Sequence, residues 1–220
     1  CDVVADLGRL YPTQVFLTLF GMPIADRDLF IDWVETIVEA GGISDAEPTP
    51  ELVAAAGALF TYLQGFIEKK KENPGEDMLS RVLALDGDEA WTDAEVLGLC
   101  FLFTLAGLDT VTSAIGFLLL HLAKRPDLRR KVVEDPDAID RIVDEVLRLE
   151  LPAPTTPRVT TAEVEVCGQL IPAGARVMLC LATVNRDPER FPAGDEIDLD
   201  PANRGHLSFG GGIHRCLGSH

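Results

Sequence analysis

The chain has 220 residues, of which 47% are hydrophobic, so it is long and apolar enough to bury a sizeable core. It carries 36 acidic and 19 basic side chains, which give a formal net charge of -17 at pH 7. This balance argues against a nucleic-acid-binding surface and against docking on anionic lipid, because both need clustered Lys and Arg. The five cysteines are odd in number and never spaced as CxxC, which indicates a reducing cytoplasm rather than a disulfide framework or a zinc site.

Helical patterns dominate the first 150 residues. The segment from Cys1 to about Gly42 is predicted to be helical, with Pro12 suited to a first turn and Gly21 suited to a helix C-terminus. A further helix begins at Thr49-Pro50 and ends in the charged run 68–72, and a short helix follows over residues 78–85. No signal peptide is visible and the chain does not begin with Met, so we expect an internal fragment.

The longest helix is predicted to start at Thr92 and Glu95, which form a capping-box pattern, and to reach about Ala123. Hydropathy alone would permit a membrane helix in this region. Asp109 lies near its middle, and a carboxylate in lipid is costly. We therefore favour a buried helix of a soluble protein.

Small residues surround Asp109 and Thr110 in the middle of this helix, in the run Ala106-Gly107-Leu108-Asp109-Thr110. The residues alone leave two interpretations open. One is a local kink, since Gly and Thr both disturb helical hydrogen bonding. The other is a pocket wall that handles protons, with Phe103 and Ala106 facing an apolar pocket.

The region after this helix combines short helices with a small sheet. Pro126-Asp127 and Pro136-Asp137 each begin a short helix. The second contains Glu145 and Arg148, three residues apart on one helical face, a spacing usually typical of a surface ion pair. Prolines after Leu151 forbid helix, and we predict strands over 158–161, 164–167 and 176–180, with turns at 167–169 and 172–174.

A glycine-rich loop surrounds one thiol, Cys216, near the end of the chain, in the stretch Phe209-Gly210-Gly211-Gly212-Ile213-His214-Arg215-Cys216-Leu217-Gly218. The glycines predict positive backbone φ angles and close approach to a flat partner. A buried, inert cysteine and a phosphate-binding loop are the alternatives. A phosphate loop normally carries Lys and then Ser or Thr where Cys216 lies. We therefore interpret the stretch as a haem-iron ligand loop, in which the thiolate binds the metal.

This stretch resembles the signature of the haem-thiolate monooxygenases, the cytochrome P450 superfamily in its soluble bacterial form. The matching residues are Phe209, Gly210, Gly212, His214, Cys216 and Gly218. The resemblance covers the whole chain in order: helical body, long helix, Glu-x-x-Arg pair, small sheet, an irregular segment over residues 185–204 called the meander, and thiolate loop. It implies a mainly α fold with small β-sheets, the cytochrome P450 fold, incomplete at both ends. Residues 1–220 would then be part of a single domain, with a helical body over 1–150 and the sheet, meander and ligand loop over 151–220.

The resemblance also implies roles for the site residues. Cys216 would be the axial ligand of the haem iron, within a cofactor-binding loop that includes Phe209, Gly210 and Gly218. His214 and Arg158 would bind the haem propionates, since Arg pairs well with carboxylates.

The long helix and the Glu-x-x-Arg pair would have separate roles. The resemblance implies that Thr110 stabilises bound dioxygen and that Asp109 helps deliver protons. Glu145 and Arg148 would form a buried structural pair that supports the ligand-loop region. One position departs from the family's pattern: bacterial members commonly have an Arg in the meander that joins this pair, and Pro201 occupies that position here. Arg190 and Arg204 are the candidate substitutes.

The implied function is monooxygenation in the cytoplasm with haem b, iron protoporphyrin IX, as cofactor. One oxygen atom of O2 would enter a lipophilic small molecule, with electrons from a ferredoxin and its reductase, and without a nucleic-acid partner or a membrane span. A haem-thiolate sensor or carrier would not need Asp109 and Thr110, and peroxide-using relatives typically replace them. A truncated, inactive product is the remaining alternative. Family members are much longer than this chain, so we expect these residues alone to hold haem poorly.

Overall fold

A computed structural model describes residues 1–40, 47–199 and 205–219. These residues are mainly helical, with two small antiparallel sheets, which confirms the predicted fold class. The chain divides into two compact units, Cys1–Gly116 and Phe117–His220. One helix in the described residues is long and apolar enough to cross a membrane by length and composition alone, and it is the helix that carries Asp109.

The first unit is built from helices. Within its described residues the α-helices are α1 (Leu10–Phe20), α2 (Arg27–Ala40), α3 (Pro50–Glu72), α4 (Met78–Leu83) and the first part of α5 (Asp93–Lys124). Aromatic rings hold α1 and α2 together, because Phe16 contacts both Phe20 and Phe30, with ring centroids 4.6 and 5.9 Å apart. From α5, Phe103 places its ring 5.7 Å from that of Phe20. These contacts are part of one core cluster that also includes side chains of α3 and α4.

The segment predicted to be helical from Cys1 to about Gly42 contains several helical elements in its described residues. A π-helical turn, Val4–Gly8, precedes α1, and a 3-10 turn, Ile24–Asp26, separates α1 from α2. Gly21 ends α1 as predicted: its φ of 68° is left-handed, and its N–H donates to the carbonyls of Leu17 and Thr18. The chain cannot continue as helix beyond this point because Pro23 is extended. Gly42 lies outside the described residues.

The capping box at the start of α5 is confirmed. The Thr92 backbone N–H donates to Glu95 Oε2 at 2.8 Å, and the Glu95 N–H donates to Thr92 Oγ1 at 3.3 Å. The helix then runs without interruption from Asp93 to Lys124. Its middle therefore remains α-helical at Gly107, where a local kink was one of the two interpretations.

The second unit joins helices to two hairpins. Its elements after α5 are α6 (Pro126–Glu134), α7 (Ala138–Leu149), β1 (Thr155–Val159), β2 (Val164–Val166), β3 (Gln169–Ile171), β4 (Arg176–Cys180) and α8 (Leu181–Val184). The buried residues Leu128, Ile142 and Val146 form the centre of a cluster that packs α6 against α7. α6 begins at Pro126 itself, as predicted, and α7 begins two residues after Pro136.

The sheet prediction needs correction. Instead of one small sheet there are two separate antiparallel pairs, β1 with β4 and β2 with β3. The first strand begins at Thr155, three residues earlier than predicted, and includes Pro157 opposite Met178. A two-stranded sheet tolerates this proline because each strand has one unpaired edge. The predicted turn at residues 167–169 is tighter than expected: Cys167 and Gly168 both have positive φ, and Gln169 already begins β3.

Candidate functional site

Asp109 and Thr110 lie on the first unit's part of α5. The Thr110 hydroxyl donates to the Ala106 carbonyl one turn earlier, at 2.6 Å. Burial raises the pKa of the Asp109 carboxyl above its usual range. The hydroxyl and the carboxylate are thus neighbours in sequence but have different surroundings.

A hollow of about 220 Å³ opens beside Asp109 in the first unit. Its walls include apolar side chains such as Val34 and the hydroxyl residue Thr112, together with Arg9 and Glu35. Arg9 and Glu35 form an ion pair, with Nε and Oε1 2.8 Å apart. Of the two predicted pocket residues on this helix, Phe103 packs against the core, whereas Ala106 is exposed.

Glu145 and Arg148 form a buried ion pair in the second unit. Arg148 donates from Nε to Glu145 Oε1 at 2.8 Å and from Nη2 to Oε2 at 2.9 Å. The Arg148 side chain is 1% exposed and the Glu145 side chain is 8% exposed, whereas ion pairs at this spacing usually lie on the surface. The Arg148 guanidinium also lies over the Phe191 ring, 4.9 Å from its centroid.

The remaining donors of Arg148 hold the irregular segment after α8. Nη1 donates to the carbonyls of Asn185 and Gly194, both at 2.8 Å, and Nη2 donates to the Glu196 carbonyl at 2.7 Å. With the two bonds to Glu145, all five guanidinium N–H donors have protein acceptors. One side chain on α7 therefore fixes three points of the meander.

In the described residues, the Glu145 carboxylate accepts one further hydrogen bond from the meander. The backbone N–H of Asp198 donates to Glu145 Oε2 at 2.9 Å. Arg190, one candidate substitute, places its guanidinium over the Phe191 ring at 5.7 Å. Pro201 and the other candidate, Arg204, lie outside the described residues.

Asn185 was missed by the sequence analysis, although it is completely buried. Its Nδ2 donates to the Arg148 carbonyl at 3.1 Å and to Ser208 Oγ at 2.9 Å, and its Oδ1 accepts from the Leu207 N–H at 2.8 Å. The single available signal was a polar amide directly after the apolar run 177–184. Nothing in that local pattern identifies partners 22 and 37 residues away.

His206 and Ser208, also missed, connect the start of the ligand loop to α7. Ser208 Oγ donates to the Leu147 carbonyl at 2.7 Å. His206 Nε2 lies 3.0 Å from Asp144 Oδ1, and His206 Nδ1 accepts from the Ser208 N–H at 3.2 Å. Because Nδ1 is an acceptor, the neutral ring carries its proton on Nε2 and donates to Asp144.

The ligand loop folds into a closed turn around its thiol. The Cys216 N–H donates to the Phe209 carbonyl at 2.8 Å, and the Gly210 N–H donates to the Leu207 carbonyl at 2.9 Å. Gly210 and Gly212 have φ of 66° and 67°, the left-handed conformation that the sequence predicted. Gly211 is extended and the φ of Gly218 is not positive, so two of the four glycines do not use the left-handed conformation that they permit.

The thiol and the predicted propionate ligands are exposed in the described residues. Cys216 and His214 both lie on the exposed surface of the loop, and a Cβ at Gly218 would be 3.7 Å from Cys216 Sγ. Arg158 lies on β1 and donates from Nη1 to Thr156 Oγ1 at 3.0 Å and to the Pro157 carbonyl at 2.7 Å. The loop thus brings together Phe209, Gly210, His214, Cys216 and Gly218, whereas Arg158 bonds within its own strand.

Comparison with known proteins gives consistent matches. The cytochrome P450 family model matches residues 46–220. The chain is 35% identical to cytochrome P450 130 of Mycobacterium tuberculosis and 38% identical to vitamin D(3) 25-hydroxylase of Pseudonocardia autotrophica, in each case over 99% of the chain and 54% of the relative. Among solved structures, P450BioI in complex with an acyl carrier protein ligated to hexadec-9Z-enoic acid has a TM-score of 0.90 and 32% identity, over 100% of this chain and 57% of that one.

The matched region includes the features described above. Residues 46–220 contain the middle of α5, the buried Glu145–Arg148 pair and the Cys216 loop. The chain spans about half the length of the curated relatives that it matches. The chain therefore belongs to the cytochrome P450 family.

Proposed function

We propose that the protein containing this chain is a haem-thiolate monooxygenase that inserts one oxygen atom of O2 into a lipophilic small molecule. The observation that carries the proposal is the exposed thiol of Cys216, held in a closed glycine turn within the family match. The relatives include bacterial hydroxylases and epoxidases, among them vitamin D(3) 25-hydroxylase and mycinamicin IV hydroxylase/epoxidase.

The residues of the loop fit the haem that family members bind. Ile213 and Leu217, on either side of the thiol, are 96% and 68% exposed, an unusual position for two aliphatic side chains unless an apolar partner covers them. Gly211 and Gly212 have no heavy atom within 4 Å of the position that a Cβ would take, so the surface of the loop is open. An apolar, flat ligand with one metal coordination site matches this arrangement.

The loop residues and Arg158 on β1 have separate roles in binding haem. Cys216 binds the iron as thiolate, and the haem supplies the oxygen-activating chemistry when bound. His214 and Arg158 hold the propionates by charge-assisted hydrogen bonds. Phe209, Gly210 and Gly218 keep the loop closed and leave space beside the sulfur.

Asp109 and Thr110 manage protons. Burial raises the pKa of Asp109, so this carboxyl accepts and releases a proton more readily near neutral pH than an exposed aspartate does. The Thr110 hydroxyl donates to the Ala106 carbonyl, and its oxygen has lone pairs with which it can accept a hydrogen bond. Together they place a carboxyl with a raised pKa and a hydroxyl on adjacent residues of one helix.

Electrons come from a redox partner, and we propose a ferredoxin with its reductase. The family implies such a partner, and the bacterial relatives support a cytoplasmic location. The Asp109–Thr110 pair supports reductase-driven turnover over peroxide-driven turnover, since the reduction of O2 takes up two protons whereas peroxide brings its own.

The experiment is turnover of the full-length, haem-loaded protein with vitamin D3 as a probe substrate, chosen from the relative's activity. We expect a hydroxylated product with one oxygen from labelled O2 when ferredoxin, reductase and NADH are supplied, and a much lower yield with peroxide alone. Thr110→Val should reduce the ferredoxin-driven yield and leave the peroxide-driven yield unchanged. A yield that depends on peroxide and not on Thr110 would contradict the proposal.

A further inference from the structure

We propose that Asn185 is a positioning residue for the Cys216 ligand loop. Its side-chain amide fixes the backbone at Leu207 and the side chain of Ser208 to the end of α7, and thereby sets where the sulfur lies. The inference deepens the proposed function, on which it rests for the identity of the ligand that Cys216 binds. The hydrogen-bonded clamp itself is independent of that ligand.

Asn185 is buried in the interior of the second unit. Its side chain is 0% exposed, and a buried amide without partners would be costly. Both Nδ2 hydrogens and the Oδ1 atom are used, so the amide has a defined orientation. A carbonyl faces Nδ2 and a backbone N–H faces Oδ1, and the reverse orientation would break both bonds.

Asn185 is also hydrogen-bonded to Arg148 of the buried Glu145–Arg148 pair. Arg148 Nη1 donates to the Asn185 carbonyl, and Asn185 Nδ2 donates back to the Arg148 carbonyl. Arg148, which is itself 1% exposed, therefore holds Asn185 at both its backbone carbonyl and its side-chain amide. This makes Asn185 a rigid support rather than an adaptable one.

A series of hydrogen bonds connects Asn185 to the backbone of Cys216 through the turn of the loop. Oδ1 holds the Leu207 N–H, the Leu207 carbonyl accepts from the Gly210 N–H, and the neighbouring Phe209 carbonyl accepts from the Cys216 N–H. Each of these contacts is between 2.8 and 2.9 Å. The position of the Cys216 backbone is thus tied to the buried amide by the turn that lies between them.

Ser208 adds a second attachment that depends on the first. Its single O–H donates to the Leu147 carbonyl, so its oxygen can only accept from Asn185 Nδ2. Loss of the Ser208 hydroxyl leaves one N–H of the buried Asn185 amide without a partner, whereas loss of the Asn185 amide leaves Ser208 Oγ bonded to the Leu147 carbonyl alone. Asn185 and Ser208 should consequently behave as one unit in a double-mutant experiment.

The test uses the full-length, haem-loaded protein and the Soret band of its ferrous carbon monoxide complex, which distinguishes thiolate ligation from neutral-thiol ligation. We expect Asn185→Ala and Ser208→Ala each to raise the ratio of the displaced band to the thiolate band about tenfold, the size that one unpaired buried group gives. The effect of the double variant should be smaller than the sum of the two single effects, because both single variants break the same Asn185–Ser208 bond. Ser208→Thr, which keeps the hydroxyl, should restore the thiolate band.

Val146→Ala is the matched control. Val146 is equally buried on α7 but contributes its side chain to the α6–α7 cluster and not to the loop. We expect it to lower thermal stability without changing the ratio of the two bands. If the clamp variants keep the wild-type ratio, or if Val146→Ala changes the ratio as much as they do, the proposal is overturned.

A different result identifies failure of the proposed function. If the wild-type protein shows no thiolate band, haem-thiolate ligation is wrong, and the clamp is then measured by amide hydrogen exchange. In that case Ser208→Ala should speed exchange of the Cys216 N–H about tenfold relative to Val146→Ala, again the effect of one lost buried hydrogen bond. Equal exchange in the two variants would refute the clamp. Ser208→Ala also serves if Asn185→Ala fails to fold.

Discussion

Arg148→Ala should be among the most destabilising single substitutions in the second unit. The change leaves the Glu145 carboxylate, 8% exposed, without its cation and removes the donors that three meander carbonyls use. Breaking a buried ion pair by removing one partner costs about 3–5 kcal/mol in free energy of unfolding. The lost contact with the Phe191 ring adds about 0.5–2 kcal/mol. We therefore expect a loss of about 4 kcal/mol or more.

The assay is denaturant unfolding of the full-length protein, with and without haem, followed by circular dichroism. Arg148→Lys is the conservative comparison: an ammonium has three donors, so at least two of the five acceptor contacts are lost and the effect should be intermediate. Arg125→Ala is the matched control, because Arg125 forms only exposed ion pairs in the described part of the chain, with Asp127 at 2.9 Å and Glu196 at 3.9 Å, and its loss should change little. If Arg148→Ala destabilised the protein no more than Arg125→Ala, the assignment of this pair as the support of the meander would be refuted.

Three further predictions concern the cap of α5, the half-buried Asp109 carboxyl and the left-handed glycine turn at Gly212. Thr92→Ala should lower the free energy of unfolding by about 1 kcal/mol, through loss of the α5 cap, and an unchanged denaturation midpoint would contradict it. The pKa of Asp109 is higher in the folded chain than in the unfolded chain, so ionisation favours the unfolded chain. The free energy of unfolding of the wild type should therefore fall as the pH rises from the unfolded-state pKa through the folded-state pKa of this carboxyl. Asp109→Asn should remove this fall, so that the free energies of unfolding of wild type and variant converge at acid pH. Parallel pH profiles of the two free energies would show that burial does not raise the pKa of Asp109. Gly212→Ala, at a φ of 67°, should cost about 1–2 kcal/mol, whereas Gly211→Ala, at a φ of -158°, should not, and equal effects in the two would argue against the left-handed turn.

Features encoded within a few residues were predictable. The Thr92–Glu95 cap and the Gly21 helix end need only local backbone geometry, and both are present in the structure. The spacing of Glu145 and Arg148 placed them on one helical face, where they pair. The glycine loop predicted left-handed residues correctly at Gly210.

Features that depend on distant partners were not predictable. Asn185 bonds to residues 22 and 37 positions away, and a single buried amide leaves no periodic pattern in the sequence. The separate pairing of β1 with β4 and of β2 with β3 depends on register across a connection, which composition does not specify. The division of residues 1–220 into a helical body over 1–150 and a sheet and loop region over 151–220 stays a prediction.

The most direct test of the central claim is the absorption spectrum of the ferrous carbon monoxide complex of the full-length protein, measured for the wild type and for Cys216→Ser. The account predicts a strongly red-shifted Soret band in the wild type, from thiolate ligation by Cys216, and its loss in Cys216→Ser. A wild-type band at the position typical of histidine or neutral-thiol ligation, or a red-shifted band that survives in Cys216→Ser, would contradict it.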